Sequence, residues 1–352
     1  MRKSVRRFGF RLAAAVVGAL VAASTLAASP SMAEDDPLFI GWTDYLPSFT
    51  SGYEPSSEND CKAGRIQCVD AVIREMYRRY DPLLEVCSHN AMFALTYLRT
   101  TEQYRASATT EGFFSDPGFI NHQDAVFARY YFDAWDGYYH PNGSTGPVSD
   151  SWRIAFQQAD GRRVNGTGSM LLGMSAHVNR DLPLVLASIG LVKPDGSSRK
   201  PDHDKVNQFL NQVIEPLIDE AAARLDPTVD DAQVDGTTMD ETALLQLLVS
   251  WREMAWRNAE RIVSAPDEAA RQEVIASIER QAAIEAWLIV AATSYSPLNA
   301  NAALDQLAAL GADPARLLQA SEDRLVNVAR GLLNSLFVDA ADVRDAYCHS
   351  RA

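Results

Sequence analysis

The sequence predicts an all-α protein, organised as a single compact multi-helix domain with kinked helices and disulfides. From residue 66 onward, apolar residues recur in most segments at the spacing of one helix face. We find no run of alternating β-branched residues that would predict a strand, and no hairpin dipeptide between such runs. Helices packed on helices around one core are therefore the expected architecture.

Residues 1–33 have the features of a signal peptide. They contain five cations and no acid, followed by the small apolar run Leu12–Ala28 and by Ser31-Met32-Ala33, which fits a cleavage site. The run is too short and too rich in alanine for a membrane span. We expect a secreted or extracytoplasmic chain, cleaved near Ala33, with no stable membrane span after processing. Arg6-Arg7 leaves both Sec and twin-arginine export open.

The mature chain is expected to be strongly acidic. Cleavage after residue 33 removes five of the 32 Lys and Arg but none of the 46 Asp and Glu, which takes the formal charge from −14 to −19. Nucleic acid and anionic membrane surfaces bind clustered cations, so we exclude nucleic acid and expect a small-molecule or envelope ligand. The sequence does not define an oligomeric state.

The helical domain is predicted to span residues 61–352, after an extended lead-in over residues 34–60 that is rich in Pro, Ser, Gly and acids. Its first two helices are predicted to form a hairpin that turns at Asp81-Pro82. The densest aromatic group, Phe119–Tyr139, indicates a largely buried helix. Further helices are predicted over Ser151–Ala159, Met170–Ile189, Lys205–Arg224, Asn299–Leu310 and Pro314–Leu336, and from Thr238 and Pro266 onward.

All four cysteines lie in the part predicted to be exported, where oxidising conditions favour disulfides. In the predicted hairpin, Cys87 on the second helix lies level with Met76 and far from Cys68, which argues against a Cys68–Cys87 bridge. We favour Cys61–Cys68, closing a short loop, and Cys87–Cys348, fastening the C-terminus to the second helix. The cysteine spacing is not typical of a zinc-thiolate site.

The segment Gly173–Pro183 carries the most concentrated group of polar residues within an apolar stretch. In a helix, His177 and Asp181 lie four residues apart on one face, and Arg180 lies three residues after His177. Pro183 either begins a new helix that Asp181 caps or kinks a continuous helix, and we favour the kink. In both arrangements the backbone near His177 is irregular, so a ligand could meet unpaired polar groups there.

A helical His-x-x-x-Asp pair can bind a metal or form a base with its orienting carboxylate, although a structural hydrogen bond is the commoner role. Asp124 lies on the aromatic helix, where a buried acid needs a partner, and a salt bridge to Arg180 is the structural alternative. We predict that His177, Asp181 and Asp124 converge in one pocket. The candidate catalytic residues are His177, Asp181, Asp124, Arg180, Asn179 and His122, and the candidate ligands of a divalent metal are His177, Asp181 and Asp124.

Three segments carry a resemblance: Cys87-Ser88-His89-Asn90-Ala91, the residues Asp124 to Phe132, and Gly173–Pro183. Together they resemble a family of uncharacterised secreted helical proteins found widely in actinobacteria and catalogued as a domain of unknown function. The most specific part is Ala-His-x-Asn-Arg-Asp-Leu-Pro, and the resemblance covers most of Cys61 to Pro227. It implies a helical domain but no established reaction and no assigned catalytic residue.

Two functional hypotheses follow from the sequence. The first is a secreted hydrolase-like enzyme, with or without a divalent metal, whose site includes His177 and Asp181. The second is a non-catalytic extracellular or envelope-associated binding protein. The combination of acid, base and cation in the motif favours the first. The sequence contains no G-x-S-x-G, HExxH, P-loop or dinucleotide fingerprint, which favours the second.

Overall fold

The computed structural model describes Leu46 and residues 52–141, 147–229, 239–313 and 340–351, with only the backbone given for residues 239–241. These residues belong to one compact unit and form an all-α fold without a β-strand, as predicted. The predicted signal peptide, most of the lead-in and the predicted helix Pro314–Leu336 lie outside the described residues. Within them, no helix combines the length and the apolar character needed to cross a membrane.

Within each described range, short connections join one helix to the next. We number them α1 to α11, with a π-helix between α5 and α6 and a short 3-10 helix, Pro227–Val229, after α7. Their bounds are α1 Ile66–Glu85, α2 Ala91–Ala108, α3 Pro117–Tyr139, α4 Asp150–Asp160, α5 Gly166–Ser175, the π-helix Ala176–Asp181, α6 Leu182–Ile189, α7 Lys200–Arg224, α8 Met239–Val263, α9 Glu268–Thr293, α10 Pro297–Ala309 and α11 Ala340–His349.

Side-chain caps determine where several of these helices begin. The side chain of Asp116 accepts a hydrogen bond from the backbone N–H of Phe119 at the start of α3, where Pro117 occupies the first turn. Asn165 caps α5 in the same way through the N–H of Gly168. Each such cap stabilises a helix by about 1 kcal/mol because it satisfies a backbone donor that has no partner within the helix.

The predicted turn at Asp81-Pro82 is wrong. Helix α1 continues through Pro82 to Glu85, because a proline so near the end of a helix removes one backbone hydrogen bond without preventing the last turn. The chain reverses instead at Cys87, which has a left-handed φ of 52°. The N–H of Ser88 bonds back to the carbonyl of Leu83 at 2.8 Å, which closes the end of α1.

The structure contains two disulfides, Cys61–Cys68 and Cys87–Cys348, which are the pairs favoured from the sequence. The first closes a loop of 7 residues, whereas the second joins positions 261 residues apart and ties the α1–α2 turn to α11. The predicted pairs are present although Cys87 lies in the turn rather than inside the second helix.

Helix α2 lies at the centre of the molecule and packs against α1, α5 and α7. Its Phe93 contacts α5 closely, because a Cβ atom added to Gly173 would lie only 2.2 Å from the Phe93 ring. On the other side, α3 packs against α1, α6 and the π-helix and buries Phe132 and Trp135. Burying each such ring stabilises the fold by about 1.5–3 kcal/mol. The π-helix is thereby held between aromatic side chains of α2, α3 and α4.

Candidate functional site

The segment Gly173–Pro183 remains helical throughout but changes its winding at the motif. Residues Ala176–Asp181 form a π-helix, and Pro183 lies in the first turn of α6. The side chain of Asp181 does not cap α6, so the alternative in which Asp181 caps a new helix is not observed. The backbone irregularity expected near His177 is the π-helix itself, and short π-helical segments inside α-helices are frequent at functional sites.

The π-helix joins His177 to Asp181. Nδ1 of His177 lies 3.0 Å from Oδ2 of Asp181, a fully buried carboxylate. The same carboxylate accepts hydrogen bonds from Nε1 of Trp152 at 2.8 Å and from Nη1 of Arg180 at 2.9 Å. Because Oδ2 is an acceptor, Nδ1 of His177 carries the proton, and Nε2 is left with its lone pair.

The imidazole of His177 is held in place by aromatic rings. It stacks on Phe127 with 3.5 Å between ring centroids and an interplanar angle of 6°, and Tyr97 meets it edge-on at 4.5 Å. Burial lowers the pKa of His177, and the hydrogen bond and charge of Asp181 oppose that effect. Nε2 is buried and has no hydrogen-bond partner among the described residues. His177 is therefore a neutral, oriented base with one nitrogen available.

His177 lines a cavity with a volume of about 110 Å³. This volume accommodates several water molecules or a small organic molecule, since one water needs only about 10–15 Å³ of such space. Helices α2, α3, α7 and α8 and the π-helix all contribute to its walls, which are mainly aromatic and aliphatic. The apolar lining includes Phe93, Ile120, Phe127, Met174, Phe209 and Leu248.

Asp124 lines the same cavity as His177. Asp124 retains some accessible surface, but its Oδ2 atom is buried without a hydrogen-bond partner, and the carboxyl forms no ion pair with any described residue. The alternative salt bridge to Arg180 is not observed, because Arg180 bonds to Asp181 and Glu279 instead. Burial raises the pKa of Asp124 to about 7, so the carboxyl is substantially protonated at neutral pH.

Tyr97 and Arg252 are polar cavity residues that were not identified as site residues from the sequence. The hydroxyl of Tyr97 is buried without a partner in the described part of the chain. Burial raises the pKa of Tyr97 well above its usual value, and the carboxylates of Asp124 and Asp181 add to the effect. Arg252 on α8 also lines the cavity, four residues after Leu248 on the same helix face. A cation on an apolar face was the available signal for Arg252, whereas Tyr97 looks like an ordinary core residue.

Four of the predicted site residues do not line the cavity, and one of them, Asp181, reaches it only through His177. His122 is fully buried, with Nδ1 3.0 Å from the carbonyl of Cys61. The amide of Asn179 bonds to the Ser175 hydroxyl at 3.1 Å and to Glu285 on α9. Arg180 contacts the site only indirectly, through Asp181. Of the three residues predicted to converge in one pocket, His177 and Asp124 line the cavity, and Asp181 lies behind His177, where Arg180 holds it. His122 and Asn179 lie elsewhere.

The candidate metal ligands do not form a metal-binding group. In the described ranges, no three His, Cys, Asp or Glu side chains are arranged to hold a metal ion. Oδ2 of Asp181 already bonds to His177 and Trp152, and Oδ1 bonds to Arg180, so protein donors occupy three of the roughly four acceptor positions of this carboxylate. A divalent metal therefore has no part in the function proposed below.

One comparison with known proteins covers the part of the chain that forms the cavity. No curated protein and no solved structure matches the chain. A family model matches residues 69–292, which is more than half of the chain and includes every residue that lines the cavity. The chain belongs to the family of unknown function DUF5995.

Proposed function

We propose that this protein is a secreted acid–base hydrolase that acts on a small, mainly apolar ester or amide bound in the cavity. The observation that carries the proposal is that two titratable residues, His177 and Asp124, line one apolar cavity, each with a buried polar atom that has no partner among the described residues. Burial favours the neutral form of both groups. A neutral imidazole is a base and a neutral carboxyl is an acid, so the two reactive forms coexist near neutral pH.

His177 supplies the base in this proposal. Asp181 holds the proton on Nδ1, which leaves the lone pair of Nε2 to accept a proton. Trp152 and Arg180 keep Asp181 in place, and the stacked Phe127 ring fixes the plane of the imidazole. This arrangement supports general-base catalysis because the side chain does not need to reorient when the reaction begins.

Water is the nucleophile in the proposed reaction. The hydroxyls of Thr100 and Thr101 line the cavity but donate to the backbone carbonyls of Thr96 and Tyr97, so neither is activated by a base. His177 Nε2 accepts a proton as the water oxygen bonds to the substrate carbonyl carbon. Asp124 then donates its proton to the leaving oxygen or nitrogen as that bond breaks. Return of the proton from His177 to Asp124 through water restores both groups.

A second candidate function is non-catalytic binding of a small apolar molecule. It is supported by the burial of the site, since His177 is only 2% exposed, and by the engagement of both threonine hydroxyls within α2. In this case Tyr97, Asp124 and His177 would hydrogen-bond to the bound ligand without changing it. The two candidates share one cavity and differ in whether water reaches the ligand in a reactive position.

Hydrolysis assays on the purified mature protein test the proposal. Phenyl acetate and acetanilide are compact apolar substrates of the two bond classes, and chromatography detects their products. We expect His177→Gln and Asp124→Asn each to reduce the rate by roughly 10²–10⁴-fold. His89→Gln is the matched control, because His89 is equally buried but does not line this cavity.

The outcomes separate the two candidates. Saturable binding of acetanilide without hydrolysis, weakened by His177→Gln, supports the binding protein. Hydrolysis that is equally fast in the wild type and in both cavity variants would show that the reaction occurs elsewhere. Circular dichroism of each variant confirms that a lost rate is not the result of unfolding.

A further inference from the structure

Helix α8 contributes a buried cation to the cavity. Arg252 is 6% exposed and lines the cavity beside Leu248 of α8 and Val206 of α7. Its Nε donates to Oδ1 of Asn207 at 2.8 Å, and its Nη2 donates to the backbone carbonyl of His203 at 2.6 Å. Within the described part of the chain, Nη1 takes part in no hydrogen bond.

Arg252 differs from the other buried arginines in lacking an acidic partner. Of the buried arginines in the described residues, Arg79 pairs with Glu75 and Asp136, Arg199 pairs with Asp116, and Arg344 pairs with Asp226. Arg252 forms no ion pair with any carboxylate in these ranges. A buried charge without a directly paired counter-charge is expensive. Its retention at a cavity wall therefore needs an explanation outside the protein's own contacts.

The hydrogen-bond partners of Arg252 do not neutralise it, and Asp204, whose charge opposes the effect of burial on the pKa of Arg252, forms its ion pair with Lys200 instead. Nδ1 of His203 lies 3.4 Å from Nη2 of Arg252, and Nε2 of His203 donates to the backbone carbonyl of Arg252 at 3.2 Å. Burial and the nearby guanidinium charge lower the pKa of His203 well below its usual value, so this side chain is neutral. Burial also lowers the pKa of Arg252 to about 10, which leaves it charged at neutral pH. Asn207 is an uncharged acceptor.

We propose that Arg252 anchors the carboxylate of a small, otherwise apolar ligand in this cavity. The inference rests on the proposed function in taking the cavity as the binding site, and it makes the substrate an apolar ester or amide that carries a carboxylate. The two unused N–H groups of Nη1 suit a singly charged carboxylate, because a phosphate dianion would need more donors than this wall supplies. The apolar body then lies among the aromatic rings, and the reacting group lies near Asp124 and His177.

Calorimetric titration with three ligands of equal chain length tests the anchor. Hexanoate, hexanol and hexylammonium share an apolar body and differ only in the head group. We expect wild-type protein to bind hexanoate roughly 10- to 100-fold more tightly than hexanol, since hydrogen bonds to charged groups are the stronger ones, and to bind hexylammonium least. In Arg252→Met the preference for hexanoate should disappear while hexanol binding stays within about threefold of wild type.

Arg257→Met provides the matched control. Arg257 lies on the same helix, but its side chain is 66% exposed and pairs with Glu253, so the preference for hexanoate should persist. An Arg252→Met protein that still prefers hexanoate would overturn the anchor. If this variant does not fold, the order of the three ligands on the wild type decides, and equal affinity for hexanoate and hexanol overturns the proposal.

The anchor and the proposed function fail in different ways. If hexanoate is preferred through Arg252 but no ester or amide is hydrolysed, the anchor stands and the hydrolase proposal fails. If hydrolysis depends on His177 and Asp124 but hexanoate has no advantage over hexanol, the hydrolase stands and the anchor is wrong.

Discussion

Two buried histidines of this protein, His89 and His177, each contact an aspartate through one ring nitrogen. They differ in what surrounds the other ring nitrogen. Nε2 of His89 lies 2.9 Å from Oδ1 of Asp345, and Nδ1 of His177 lies 3.0 Å from Oδ2 of Asp181. Nδ1 of His89 also faces Nη1 of Arg344 at 2.8 Å, whereas Nε2 of His177 has no partner among the described residues. Both rings are about 2–3% exposed, so hydrogen-bond satisfaction separates them and burial does not.

The difference indicates different roles. Both partners of His89, Arg344 and Asp345, lie on α11, outside the family segment of residues 69–292. The Cys87–Cys348 disulfide also joins α11 to the turn between α1 and α2. His89 therefore completes a link between two parts of the fold. The cavity around His177 lies wholly within the family segment. A buried polar atom without a partner costs about 1–3 kcal/mol, a cost that a ligand can offset.

The largest effect is expected from removing the disulfide beside His89. In the chain-entropy model, a loop of 261 residues contributes about 5.5 kcal/mol. Cys87→Ala with Cys348→Ala should therefore lower the free energy of unfolding by about that amount, measured by urea denaturation. The Cys61→Ala, Cys68→Ala control, with a loop of 7 residues, should lose only about 2 kcal/mol. A larger loss in the control would contradict the link between α11 and the body.

The next largest effect concerns Asp124. Because its pKa rises from 3.8 to about 7 on folding, the favourable contribution is present below the unfolded pKa and is lost as pH rises through the folded pKa. Asp124→Asn mimics the neutral acid and should stabilise the protein at about pH 8 by at most about 4 kcal/mol, with no difference near pH 3. Thermal unfolding at both pH values measures this.

Asp136→Asn is the control for that comparison. Asp136 lies on the same helix but pairs with the buried Arg79, so its substitution should destabilise the protein at about pH 8, because a buried guanidinium loses a partner. If Asp124→Asn also destabilises the protein at that pH, the carboxylate has a stabilising interaction that contradicts the site as described.

His89 should make the fold sensitive to acid. Burial and the Arg344 charge lower the pKa of His89 to about 4, so stability is fully present above the unfolded pKa of about 6.5 and is lost as pH falls through about 4. The difference in pKa corresponds to about 3 kcal/mol. Urea denaturation across this range should show a shallower pH dependence for His89→Gln. His177 and His203, whose pKa values burial also lowers, are expected to contribute to the part that remains. An unchanged slope would show that His89 does not have the buried, fully hydrogen-bonded role described for it.

Trp152→Phe should have the smallest effect on stability. It removes the Nε1 hydrogen bond to Asp181 and keeps most of the ring packing, so the free energy of unfolding should fall by about 1–2 kcal/mol. Because Asp181 orients His177, hydrolysis should also slow, though less than in His177→Gln. A rate equal to that of the wild type would show that the hydrogen bond from Trp152 to Asp181 does not contribute to hydrolysis.

The sequence predicted the helical fold because helical periodicity is local. It also predicted that His177 and Asp181 meet, since residues four apart on a helix share a face. The turn at Pro82 was wrong because a proline near the end of a helix does not always stop it. The long disulfide was predicted from a helix register that the structure does not have. Cys68–Cys87 is excluded for another reason, because the two residues lie near opposite ends of the single helix α1.

The remaining features of the site depend on tertiary packing. The π-helix widens the turn that carries Asn179 and Arg180, and a sequence pattern with the period of an α-helix does not predict which way their side chains then face. Tyr97 and Arg252 lie on helix faces that look like core, although the charge of Arg252 is itself a signal on such a face. What distinguishes them is the partner that each lacks, and a missing partner is visible only when neighbouring helices are in place.

The most direct test of the contrast between the two histidines is ¹⁵N NMR of their ring nitrogens during titration with acetophenone. This ketone resembles phenyl acetate but cannot be hydrolysed, and spectra of His177→Gln and His89→Gln assign the signals. If Nε2 of His177 is the nitrogen open to a ligand, its resonance shifts saturably while both nitrogens of His89 remain unchanged. A His177 signal that stays fixed at saturating acetophenone, or moves no more than that of His89, contradicts the account.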